Sequence, residues 1–166
     1  MRENTLQIDD AIPQEVTILT DVNVLAIGLT DDHPAYADVR PWLTEALDGP
    51  NVLLVPDYYP LRAQYIMTNN FGVADVDARN VVQSLIRSPA RIVGATDGVL
   101  LEVYEISAEK EHDVYDSFVL AMARAYNATY LVTTDGDFEL LCKDEEVEYR
   151  NPIPEDKLDV LSTVDG

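Results

Sequence analysis

The sequence predicts one three-layer α/β domain: a central parallel sheet of four to five strands with helices on both faces. Three observations predict it. Short β-branched runs alternate along the chain with longer stretches of helical periodicity. The run at residues 52–55 is apolar at every position, as a strand covered on both faces requires. The length, 166 residues with 47% apolar, suits a single domain with an ordinary core.

The elements follow in order. Residues 16–20 form the first strand. Residues 33–47 carry Tyr36, Val39, Trp42, Leu43 and Leu47 at helical spacing, and Pro41 is expected to kink or divide that helix. Residues 52–55 form the second strand, stopped by Pro56. A helix over 59–68 is expected to turn Leu61, Tyr65 and Ile66 inward. Asp75 is read as the cap of a third helix carrying Val81, Val82, Leu85 and Ile86. Residues 91–94 are a short third strand, and Asp97 is read as the cap of a helix over 98–106. Asp113 is read as the cap of a fifth helix with Phe118, Met122 and Ala125 on its apolar stripe. Residues 130–133 form the fourth strand, 138–142 a short helix, and 147–149 a fifth strand at an edge. The domain is thus expected over 16–150. A polar N-terminal segment (1–15) precedes it and a loosely held acidic tail (151–166) follows.

Composition limits the function. No run of about 18 apolar residues is present, so no membrane span is expected. The first ten residues lack the basic flank and apolar core of a secretory signal, so a cytoplasmic location is expected. Cys142 is the single cysteine, which excludes an internal disulfide and a thiolate cluster. Eleven Lys and Arg stand against 31 Asp and Glu, a net charge of −20. On bare electrostatics such a chain repels nucleic acid. The acids are spread along the whole sequence, however, as in halophilic proteins that work in molar salt. There the Debye length shrinks to about 3 Å, so the charge does not exclude an RNA substrate. No Gly-x-Ser-x-Gly elbow, P-loop or dinucleotide glycine motif occurs. An aspartyl-phosphate site would need a nearby lysine, and Lys110, Lys143 and Lys157 all lie away from the core strands.

In parallel sheets, sites form beyond the carboxyl ends of the strands. Asp21 directly follows the first strand, and Asp135 and Asp137 follow the fourth. Asp116 lies in the first half of the helix that feeds the fourth strand. Three segments therefore deliver carboxylates to one sheet edge. Crowded carboxylates stay partly protonated unless a cation neutralises them, and all-oxygen donors suit Mg2+ or Mn2+. Plainer readings stand beside this one. Asp137 is also placed to cap the short helix, and Asp116 to sit inert at a helix start favoured by the dipole. His33 and His112 read as surface residues. Arg62, Arg79, Arg87, Arg91 and Arg124 read mostly as partners of nearby acids. Tyr58, Tyr59 and Tyr65 read as core or dimer packing.

The stretch Leu19-Thr20-Asp21-Val22-Asn23-Val24-Leu25 resembles the opening motif of PIN-domain nucleases. Val114-Tyr115-Asp116-Ser117-Phe118-Val119-Leu120-Ala121 is similar to their helix motif. Tyr130-Leu131-Val132-Thr133-Thr134-Asp135-Gly136-Asp137-Phe138 is similar to their closing motif. Order and separation match over about residues 16 to 150. The resemblance implies a Mg2+- or Mn2+-dependent endoribonuclease, whose commonest small prokaryotic form is the VapC-type toxin of toxin–antitoxin pairs. It implies Asp21, Asp116 and Asp135 as catalytic metal ligands and Asp137 as a further ligand or supporting acid. It also implies Asn23 orienting the Asp21 loop, and Thr133 or Thr134 bonding near the site. A homodimer and an antitoxin partner are implied too. One departure stands out: Leu61 occupies the position where the family usually has a glutamate. Two readings of Asp57, four residues earlier, remain open. It replaces that ligand, directly or through water, or it is an exposed turn residue. The departure keeps a second function open, a non-catalytic binding or dimerisation module on the same fold.

Overall fold

The computed structural model describes residues 15–154 and residue 156. Five parallel strands lie in the order β3-β2-β1-β4-β5. They are β1 (Thr17–Thr20), β2 (Val52–Pro56), β3 (Arg91–Val93), β4 (Tyr130–Val132) and β5 (Glu148–Arg150). The described residues form seven helices: α1 (Val22–Gly28), α2 (Tyr36–Asp48), α3 (Tyr59–Asn69), α4 (Asp75–Arg87), α5 (Asp97–Lys110), α6 (Val114–Ala125) and α7 (Asp137–Leu141).

Strand periodicity builds the three layers. Successive side chains of a strand point to opposite faces. Ile18, Leu53, Val55, Tyr130 and Val132 bury on one face with residues of α1–α4. Leu19, Leu54 and Leu131 bury on the other with α5–α7, including Val103, Ile106, Leu120 and Phe138. Each fully buried Leu or Ile contributes about 1.5–3 kcal/mol. The two helical layers follow from the connections. From β1 the chain steps outward through β2 to the edge at β3, then returns past β1 to β4. Right-handed crossovers in opposite directions place their helices on opposite faces. The direction reverses at β1, so a crevice opens beyond the carboxyl ends of β1 and β4.

Several elements differ in detail from expectation. The buried stripe of α3 is Tyr59, Pro60, Ala63, Ile66 and Met67, while Leu61 is 75% and Tyr65 53% exposed. The expected inward face was rotated: the set at i, i+4 and i+7 starts at Tyr59. The helix α2 runs unbroken through Pro41, because Trp42 and Leu43 bury on the sheet face and hold it. Ala74, not Asp75, occupies the N-cap of α4, and Thr96, not Asp97, caps α5 through its hydroxyl to the N–H of Val99. Asp75 and Asp97 sit one position inside, where the helix dipole still favours them. Asp113 caps α6 as expected, and β5 lies at an edge. Ile153 packs into the α1–α4 core. Residues 1–14 and 157–166, most of the two expected terminal segments, lie outside the described residues. Among the described residues no helix is long and apolar enough to cross a membrane.

The second helical layer is tied by charge. Arg124 of α6 meets both oxygens of Glu145 at 2.8 and 2.6 Å and Glu102 of α5 at 2.9 Å. Lys110 reaches Glu145 at 3.1 Å. Arg79 pairs loosely with Asp75 at 3.8 Å. Arg62 and Arg91 lie over the rings of Tyr65 and Tyr126 instead.

Candidate active site

Asp21 leaves the end of β1 with its N–H bonded to the carbonyl of Val132 on β4, at 3.2 Å. It is the N-cap of α1, and Oδ1 accepts from the N–H of Val24 at 2.7 Å. Oδ2 accepts from the Thr133 hydroxyl at 2.6 Å. Both oxygens are thereby aimed by the fold, and each keeps a lone pair. Burial, and after it the charge of Asp135, raises the Asp21 pKa above the ordinary value; the bonds from Thr133 and Val24 oppose the rise.

Thr133 is fully buried and serves twice. Its hydroxyl donates to Asp21 and accepts the N–H of Asp135 at 3.1 Å. One side chain thus locks the loop after β4 to the loop after β1. Thr134 is half-buried. Asp135 is exposed, and its Oδ1 accepts the N–H of Asp137 at 2.9 Å. Asp137 is exposed in the first turn of α7 and does not cap it; Gly136 holds the N-cap position. The side chain of Asn23 is exposed, and it is its backbone N–H that favours the charged form of Asp21.

Asp116 enters from α6. Its N–H bonds to Asp113 Oδ1 at 2.9 Å, and its Oδ2 lies 3.2 Å from His112 Nε2. Its pKa is pushed up to about 6 by burial, by Asp113 and by Asp135, against a smaller opposing effect of His112. The charge of Asp135 is therefore felt at both Asp21 and Asp116, so the three carboxylates share one electrostatic neighbourhood. Their ligand atoms do not gather as one group within 4.8 Å of one another. Among the described residues, the histidine and acid donor atoms that gather within 4.8 Å of one another belong to His112, Asp113 and Asp116.

Tyr59 and Tyr58 lie near the carboxylates. Tyr59 is fully buried, and its hydroxyl donates to the carbonyl of Thr20 at 2.9 Å. Burial, Tyr58 and the nearby Asp21 and Asp116 raise its pKa. Tyr58 packs edge-on against Tyr59 and Phe118. The sequence grouped these tyrosines without placing them, because the Tyr59 bond joins residues 39 positions apart. The contact of His112 with Asp116 was not read from the sequence either, because His112 lies outside α6 and reaches it through the turn at Glu111.

Asp57 follows β2 on the side of β3. Its N–H bonds to Val93 at the end of β3, and its Oδ2 lies 3.3 Å from where a Cβ on Gly94 would sit. It leans toward the sheet edge opposite to β4. His33 works in a turn, accepting from the N–H of Ala35 at 3.0 Å. A cavity of about 860 Å³ opens elsewhere, among α1, α2, α3 and α4, lined by Leu29, Tyr36, Leu47, Phe71 and Val81. It contains none of the grouped carboxylates, so it does not mark the chemical site.

The donor set fits a hard divalent cation. It is all oxygen, it sits where the sheet reverses, and two of its members have raised pKa values that a cation would offset.

The model of the PIN domain matches residues 18–144 of the chain. The chain belongs to the PIN domain family. Three solved structures share its architecture at low identity. VapC20 of Mycobacterium tuberculosis, a sarcin-ricin loop cleaving toxin, is 15% identical with a TM-score of 0.59, over 74% of this chain and 92% of that one. A chain of Rickettsia felis VapBC2, bound to a promoter DNA fragment, is 15% identical with a TM-score of 0.59, over 82% and 98%. The PAE2754 protein of Pyrobaculum aerophilum is 17% identical with a TM-score of 0.55, over 90% and 99%. A search of curated proteins gave no significant match. At these identities the likeness to solved structures carries the fold, and the PIN assignment rests on the family match.

Proposed function

We propose that this PIN domain is a Mg2+- or Mn2+-dependent endoribonuclease, the toxin of a cytoplasmic toxin–antitoxin pair, working as a homodimer. The observation that carries the reading is the buried Thr133 hydroxyl, which ties the Asp21 carboxylate after β1 to the Asp135 loop after β4. Membership of the PIN family supports it, as does the likeness in fold to a toxin that cleaves the sarcin-ricin loop. The likeness to a VapBC2 chain supports an antitoxin partner.

Asp21, Asp116 and Asp135 would hold the cation, with Asp137 beside them. A bound divalent ion supplies Lewis acidity at a phosphodiester and lowers the pKa of water. The chain's own residues set the geometry. Thr133 holds Asp21 and the Asp135 loop in one register, Tyr59 braces the end of β1, and Asp113 fixes the start of α6. The test is cleavage of structured RNA with Mn2+ in molar KCl, where salt screens the repulsion between chain and substrate. Cleavage by the wild-type protein and its loss in Asp21→Asn are expected. No cleavage by folded, Mn2+-bound protein would count against the reading.

One observation favours a second reading, a binding or dimerisation module without catalysis. Leu61 points to solvent and Asp57 leans toward β3, so neither adds a ligand from that side. That reading expects no change in melting temperature on adding Mn2+.

A further inference from the structure

The junction between α5 and α6 is built more firmly than a surface loop needs. Glu111 ends α5 in the left-handed region, at φ 53° and ψ 51°, where residues other than glycine are uncommon. That single turn folds His112 back over the helix end. Two bonds pin it there: its N–H to the Ser107 carbonyl at 3.1 Å, and the Ser107 hydroxyl to its own carbonyl at 2.5 Å. The ring then lies with Nε2 at 3.2 Å from Asp116 Oδ2, both side chains largely covered, at 16% and 21% exposure.

We propose that His112 is a positioning residue that holds the Asp116 carboxylate in place toward Asp21 and Asp135; this rests on the reading of those aspartates as one cation site. The charged groups that bear on Asp116 are the reason it needs holding. Asp113 and Asp135 both repel it, and Asp113 Oδ1 is already engaged by the N–H of Asp116. Among the described residues, His112 is the one side-chain nitrogen bonded to this carboxylate. Without the ring, rotation of the Asp116 side chain away from the other acids is favoured. A single hydrogen bond of this kind adds only modestly to stability, so its main effect falls on where the carboxylate points. Partners that orient metal ligands typically change metal affinity by about 10–100-fold when removed.

Two measurements test this. In metal-free protein, NMR of the ring nitrogens above the histidine titration range should find a proton on His112 Nε2, with a resonance that moves in Asp116→Asn. With two histidines in the chain, assignment is direct. A bare Nε2 would overturn the proposal. Mn2+ titration followed by electron paramagnetic resonance should then show about tenfold weaker binding or worse in His112→Ala. Binding should be largely recovered in His112→Gln, whose amide can donate in the same place, with unchanged melting temperatures. Equal affinity in the alanine variant, or a loss that glutamine does not recover, would refute it. So would nitrogen coupling to bound Mn2+ that vanishes with the ring, which would make His112 a ligand. Absence of Mn2+ binding by the wild-type protein would instead defeat the cation site itself, and this inference with it.

Discussion

Asp21 gives one oxygen to the start of α1 and the other to Thr133, so its direction is set before any cation arrives. Asp116 is held less tightly and is pushed up to about 6. Its ordinary carboxyl titrates at 3.8, so the folded chain binds that proton more tightly than the unfolded chain. The resulting stabilisation is complete below about pH 4 and is lost as pH rises through about 6. Asp21 shifts in the same direction. In metal-free protein, Asp116→Asn should therefore flatten the fall of urea stability between about pH 4 and 7 relative to wild type. Mn2+ affinity of the wild-type protein should weaken by up to about tenfold per unit as pH drops below about 6, since proton and cation compete for the same oxygens. An affinity that stays level across that range would contradict the raised pKa. The positions of Asp21 and Asp135 after strands and of Asp116 in a first helical turn were legible in the sequence, because strand ends and helix starts can be read from periodicity. Thr133 came only through the family resemblance, which offered Thr134 equally. His112 and Tyr59 act through a left-handed turn and a contact between distant segments, which no local pattern encodes.

At the scale of elements, apolar periodicity gave each strand and helix that was expected, and local chemistry blurred the ends. Thr96 outcompeted Asp97 as a cap because its hydroxyl reaches the N–H of Val99. The face of α3 was misassigned because an exposed Leu61 and Tyr65 mimic an apolar stripe. The α1–α2 contact was not legible at all, since it depends on close approach. A Cβ on Gly28 would meet Leu43 Cδ2 at 2.6 Å and Val39 Cγ1 at 3.2 Å. Leu43 and Val39 are fully buried and have little room to move. Gly28→Ala should cost about 1–3 kcal/mol through overpacking, measured by urea denaturation. A neutral or stabilising result would show that Leu43 repacks freely. The substitution should shift Mn2+ affinity little, because Gly28 lies at the far end of α1 from Asp21.

For the whole molecule, alternation of strands and helices foretold the layered parallel sheet, while strand order did not follow from it. Order is set by where each crossover lands, and that places the reversal at β1 beside the acids. The net charge of −20 is a property of the entire surface. Raising KCl from 0.1 to 1 M shortens the Debye length from about 10 Å to about 3 Å, so the melting temperature should climb steeply over that interval. A flat or falling trend would remove the expectation of a protein adapted to molar salt. The central claim is that three separated segments hold one divalent cation between them. Calorimetric titration of Mn2+ into the wild-type protein and into Asp21→Asn, Asp116→Asn and Asp135→Asn tests it most directly. The account predicts a single site weakened about tenfold or more by each substitution. Undiminished affinity in all three variants would contradict it.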